Sequence, residues 1–147
     1  MEAVFTDNYF MKEALKEAQK AFELGEVPVG AVIVSRDKII ARAHNLSERL
    51  TDVTAHAEIM AITAACNHLG SKFLDECSMY VSLEPCPMCA GALFHARIGR
   101  LIYAAPDEKG GFMRFGTKML HPKTKVKLGP YEKESREIMQ AFFQKRR

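Results

Sequence analysis

Hydrophobic residues recur along this chain with two different periods. Phe10, Ala14, Leu15, Ala18, Ala21 and Phe22 fall at three- and four-residue spacing, which predicts an amphipathic helix capped by Asp7 and closed at Gly25. Residues 29–34 and 39–43 are short apolar runs separated by a polar turn at 35–38, and together they predict a hairpin forming one edge of a sheet. Helical spacing returns in Ile59, Ile62, Ala65, Cys66 and Leu69, with Thr54 placed as an N-cap and Gly70 as a stop. Residues 78–83 predict a strand, 86–96 a helix, 98–104 another strand, and 131–145 a closing helix with Ile138, Met139, Phe142 and Phe143 on one side. Strands alternating with helices at this spacing give an α/β layer structure whose sheet is largely parallel beyond the hairpin. Residues 106–124 contain Gly110, Gly111 and Gly116 and follow neither period. Loops of that length are uncommon unless functional or mobile.

Composition narrows the picture modestly. The chain has 147 residues, 48% of them hydrophobic, which is one domain's worth with enough apolar mass for a core. No apolar run approaches the roughly 20 residues that cross a bilayer, so no membrane role is expected. A net charge of +3 does not by itself mark a nucleic-acid binder. Four cysteines without a secretory signal suggest a reducing cytoplasm, with Cys66 and Cys77 as buried free thiols.

Two short stretches carry the chemistry: Thr54-Ala55-His56-Ala57-Glu58 and Pro85-Cys86-Pro87-Met88-Cys89. His56, Cys86 and Cys89 supply three zinc ligands and leave the fourth tetrahedral position for water, whereas a structural site is normally closed by four. Two thiolates make the metal a weaker Lewis acid than three imidazoles would, so a carboxylate that can take the water proton is needed beside it. Glu58 is the candidate. Cys86 and Cys89 are one helical turn apart, and Pro85 and Pro87 suit the start of a helix whose positive end favours thiolate. His56 and Glu58, two apart, would point about 200° from each other in mid-helix. They can serve one site only at the mouth of a helix, so two helix N-termini are expected to converge on one metal. A thioredoxin-like role for Cys86 and Cys89 would leave His56 and Glu58 unexplained.

His-x-Glu followed by Pro-Cys-x-x-Cys is the pattern of zinc nucleobase deaminases. The chain resembles the bacterial tRNA-specific adenosine deaminases of the cytidine-deaminase-like superfamily, on residues 26–32, His44-Asn45, 54–60, 83–92 and Arg97-Ile98-Gly99-Arg100. That resemblance implies a three-layer cytidine deaminase-like fold with a five-stranded mixed sheet flanked by helices, the fifth strand near 125–128, and 1–147 as a single zinc-dependent deaminase domain. It also implies one zinc per chain, and Glu58 moving protons while adenosine, turned out of its stack, becomes inosine. The substrate would be the wobble position of a tRNA anticodon stem-loop, the assembly a homodimer and the place the cytoplasm.

For substrate contacts the resemblance implies Asn45, Val29 and Ala57, with Asn45 bonded to the target base; from the residues alone Asn45 serves equally as a turn residue. Phe112 and Phe115, beside Arg114 and Lys118, have the mix that stacks on unpaired bases and neutralises phosphates, or else tucks under the loop as a small core of its own. Lys123, among His121, Lys125 and Lys127, continues the basic character, as does the end Gln144-Lys145-Arg146-Arg147, which also suits a helix C-terminus. The chain departs from the family at Phe115-Gly116-Thr117, where a Gly-Ser pair is usual, and at His121-Pro122-Lys123, in place of Asn-His-Arg. These departures keep a free nucleobase or nucleoside deaminase of guanine or cytosine type as an alternative. A zinc-stabilised RNA-binding module without catalysis is the second.

Overall fold

A computed structural model of the protein describes residues 6–145. Helix α1 (Asp7–Glu23) leads into the hairpin β1 (Gly30–Ser35) and β2 (Lys38–His44), then α2 (Ala57–Leu69), β3 (Cys77–Leu83), α3 (Pro87–Ala96), β4 (Arg100–Ala105), β5 (Lys125–Leu128) and α4 (Glu132–Lys145). The five strands lie in the order β2-β1-β3-β4-β5; β1 runs antiparallel to both neighbours, while β3, β4 and β5 are parallel. This is the expected five-stranded mixed sheet, with the hairpin at one edge. Its turn is two residues, Arg36 and Asp37, both at positive φ, a twist that suits a tight hairpin.

Period two along the strands sorts side chains to the two faces. Ala31, Ile33, Met79, Val81, Leu101 and Tyr103 pack with Ala57, Ala61 and Ala65 of α2 and Ala90, Leu93 and Ala96 of α3. Val32, Val34, Tyr80, Ile102 and Ala104 face Phe10, Met11 and Ala14 of α1. The α1 backbone presses so closely on β1 that a Cβ at Gly30 would lie 2.2 Å from the Ala14 carbonyl oxygen. Helix α4 lies beside α1, with Phe142 against Phe22 and the Ser135 hydroxyl donating to the Ser82 carbonyl.

Several expectations need correction. Thr6, whose hydroxyl accepts from the Tyr9 N–H, is the N-cap of α1. Asp7 instead accepts from the Tyr80 hydroxyl and pairs with Lys127, joining α1 to β3 and β5. On α2 the buried stripe is Ala57, Glu58, Ala61 and Ala65, with Ile59, Ile62 and Cys66 half-buried and Leu69 exposed. Small residues on that stripe let the helix sit close to the sheet. Phe143 is exposed, and only Phe142 of the expected α4 face is fully buried. The segment 106–124 contains two short 3-10 turns, 112–115 and 117–119. Lys145 lies over the Phe22 ring, while Arg146 and Arg147 fall outside the described residues.

Candidate metal centre

Helices α2 and α3 both begin behind the same edge of the sheet. His56 is the N-cap of α2 and Cys86 the N-cap of α3, each in extended conformation, and Cys89 sits in the first turn of α3. Neither cap residue bonds a helix N–H with its side chain, which leaves the imidazole and thiol turned to each other. His56 Nδ1 lies 3.6 Å from Cys86 Sγ and 3.5 Å from Cys89 Sγ. Bonds of roughly 2.3 Å to sulfur and about 2.05 Å to nitrogen at a tetrahedral angle put nitrogen and sulfur about 3.6 Å apart, so the donor set suits an ion of zinc's size. One ring nitrogen has a single in-plane lone pair and cannot accept well from two thiols; an ion between all three satisfies each. Among the described residues this trio is the one His/Cys/Asp/Glu group with metal-binding spacing.

Electrostatics distinguish the members. A hydrogen bond with Cys89 and another with His56 hold the Cys86 thiol far below the ordinary range, at about 4. The bond with Cys86, opposed by burial, raises His56. The hydrogen bond that the Cys89 thiol donates to Cys86, and burial, push Cys89 up. Glu58, only 4% exposed, is raised to about 7 chiefly by burial. A carboxyl poised there takes and returns protons near neutral pH.

A cavity of about 200 Å³ opens on His56, Glu58 and Cys86, walled by Val27, Val29, Asn45, Ser47, Leu83, Glu84 and Asp107. That is below the roughly 300–1,000 Å³ of a typical small-molecule site.

A profile of MafB19-like deaminases matches residues 5–147. A tRNA-specific adenosine deaminase from Aquifex aeolicus is 47% identical, with 95% of both chains aligned. Among solved structures, a protein from a study of A-to-I editing by tRNA:A34 deaminases at the wobble position of transfer RNA superposes with a TM-score of 0.84. It is 47% identical over 89% of this chain and 99% of its own. This chain belongs to the tRNA-specific adenosine deaminase family. A guanine deaminase from Bacillus subtilis is 44% identical, but over 69% of this chain and 65% of its own, with a TM-score of 0.66.

Within this tRNA-specific adenosine deaminase family member, the expected substrate residues separate. Val29 and Asn45 line the cavity. Ala57 does not: its side chain is buried in the core and its N–H donates to Asn45 Oδ1 at 2.8 Å. Asn45 therefore caps α2 from 12 residues away, in the place expected of Thr54, whose N–H and hydroxyl both turn to Asp52 Oδ1. Phe112 is fully buried against Tyr103, which removes it from any stacking surface. Phe115 is 52% exposed under the Arg114 guanidinium. Lys123 is exposed and lines a separate cleft of about 620 Å³ with Phe73, Arg97 and His121. Sequence reasoning missed two buried carboxylates at the rims. Glu26 accepts the N–H groups of Glu48 and Arg49, and Glu84 those of Asp107 and Met113. The available signal was an acid set among apolar and proline neighbours, Val27-Pro28 after one and Leu83 and Pro85 around the other.

Proposed function

We propose that this protein deaminates adenosine to inosine in transfer RNA, at the wobble position of the anticodon, with one zinc ion per chain held by His56, Cys86 and Cys89. The observation that carries the proposal is a buried carboxylate, Glu58, beside a His-Cys-Cys trio at the foot of a cavity sized for one base. A zinc ion held there supplies Lewis-acid activation of water near neutral pH. Glu58 accepts the proton of the attacking water and delivers it to ring N1 of adenine as the C6–O bond forms. It then takes the remaining proton from the new C6 hydroxyl and passes it to the amino group, so that the C6–N bond breaks, ammonia leaves and the C6 carbonyl of inosine forms. Asn45, with Oδ1 fixed by the Ala57 N–H, keeps its Nδ2 donor for the base, and Val29 gives the ring an apolar wall.

The rest of the RNA stays outside so small a cavity. Phe115 and Arg114 offer a stacking and cationic surface, and Lys123 adds charge farther along the same segment. The assembly we infer is a homodimer, supported by the apolar side chains Met88 and Phe94 exposed on α3 and by Val53. We infer a cytoplasmic location from the substrate. Among the described residues no helix is long and apolar enough to cross a membrane.

The test is to offer the zinc-loaded protein an anticodon stem-loop, free nucleosides and free bases in parallel. Inosine in the stem-loop, with free bases unchanged, is the expected result. Conversion of free guanine to xanthine with an untouched stem-loop would overturn the proposal in favour of the guanine deaminase chemistry of the Bacillus subtilis relative.

A further inference from the structure

Glu84 is a buried carboxylate two residues before Cys86, and among the described residues its hydrogen-bond partners include no cation. Its Oε1 accepts the Asp107 N–H at 3.0 Å and its Oε2 the Met113 N–H at 2.9 Å. Between those two donors the chain turns back on itself, with the Gly111 N–H on the Asp107 carbonyl and the Phe112 N–H on the Pro85 carbonyl. Gly111 fits only because it lacks a side chain: a Cβ there would lie 1.9 Å from Oε2. Its φ of −77° suits any residue, so what excludes a larger one is the Glu84 carboxylate together with the Asp107 carbonyl oxygen, 2.6 Å from the same Cβ. The loop held in this way has two functional faces. Asp107 and Glu84 itself line the cavity beside His56 and Glu58. Met113, Arg114 and Phe115, which follow directly, are exposed, and Arg114 is braced by its Nε on the Gly111 carbonyl.

The metal ligands and Glu58 are held by other means, at the starts of α2 and α3. We propose that Glu84 is a positioning residue that sets specificity: it fixes the rim 107–115 so that the exposed Met113-Arg114-Phe115 edge meets the RNA around the target nucleotide. The proposal rests on the tRNA reading above and deepens it. A buried carboxylate whose two oxygens each accept a backbone N–H holds a loop more tightly than exposed contacts do, because without those donors the charge would be left buried and unmatched. Glu26 holds the opposite rim by the same device, through the Glu48 and Arg49 N–H groups.

The experiment compares Glu84→Ala, Glu84→Gln, Gly111→Ala and Glu26→Gln with the wild type as zinc-loaded full-length protein. Three readouts are taken: zinc content, hydrogen exchange across 107–115, and kcat and KM on an anticodon stem-loop. Glu84→Ala is expected to keep its zinc, exchange the Asp107 and Met113 amides at least tenfold faster, and raise KM about tenfold or more with a smaller change in kcat. Glu84→Gln, which keeps one carbonyl acceptor, is expected to fall between. Gly111→Ala should reproduce the Glu84→Ala pattern from the other side of the joint, and Glu26→Gln should loosen 47–49 without loosening 107–115. Unchanged exchange at 107–115, faster exchange with unchanged KM, or loss of zinc would each overturn the proposal. A wild type inactive on the stem-loop would defeat the functional reading and the specificity role together, and the exchange data would still decide whether Glu84 anchors the rim.

Discussion

The carboxamide oxygen of Asn45 accepts the Ala57 N–H, so one residue at the end of β2 both caps α2 and walls the cavity. Asn45→Ala removes the cap and leaves a buried N–H without its acceptor. A loss of about 1–2 kcal/mol in urea denaturation is expected, together with a raised KM, whereas loss of stability alone would mean that the residue is only a cap. That His56, Cys86 and Cys89 come together was legible in the sequence because their relation is local: ligand types at fixed spacing ahead of two helices. Asn45 as a cap was not legible, since its partner is 12 residues away and Thr54 offers a nearer acceptor. Glu84 was hidden for the same reason, its donors being 23 and 29 residues away. Burial of Phe112 under the loop was one of two readings the sequence left open, and a 3-10 turn, with neither a two- nor a 3.6-residue period, offered nothing to decide between them.

Helix α1 packs on the sheet through apolar side chains, comes closest to it at Gly30 and is tied to it by the carboxylates of Asp7 and Glu13. Gly30→Ala would drive a Cβ into the α1 backbone, where no side chain can swing aside. It is expected to lower stability by about 2–3 kcal/mol, and a variant as stable as wild type would contradict the contact. At Asp7, burial pushes the carboxyl up, but hydrogen bonds from Tyr80 and Lys127 and the charges of Lys127 and Arg100 outweigh it and hold the group below its ordinary value. A depressed carboxylate stabilises the fold above its unfolded pKa of about 3.9, and that contribution is lost as pH falls through the lower folded value. Asp7→Asn is expected to cost about 1–2 kcal/mol at pH 7, with the exposed Lys127 contributing little of it, and the gap from wild type should close at low pH. A gap independent of pH would show that charge is not involved. The helices and the first four strands were legible because their apolar residues recur at helical spacing or gather in short runs. Their buried faces were less so on α2, where alanines rather than the larger Ile59 and Ile62 make the closest approach.

At the scale of the molecule, three parallel strands and one antiparallel hairpin bring two helix starts to one edge, and the site is the place where they meet. The fold class followed from the alternation of elements, while the fifth strand, four residues with no buried face, was expected from resemblance alone. A net charge of +3 with Arg114, Lys118 and Lys123 in the exposed segment predicts RNA affinity that falls steeply between low and physiological salt. A flat response would point to a small uncharged substrate. The most direct test of the whole account is inosine formation in an anticodon stem-loop by wild type and Glu58→Gln, each with its zinc content determined. The account predicts about one zinc per chain in both proteins and a loss of inosine formation of a hundredfold or more in the variant, on the order expected for a missing proton-transfer group. Equal rates in the two proteins, with zinc bound in both, would contradict it.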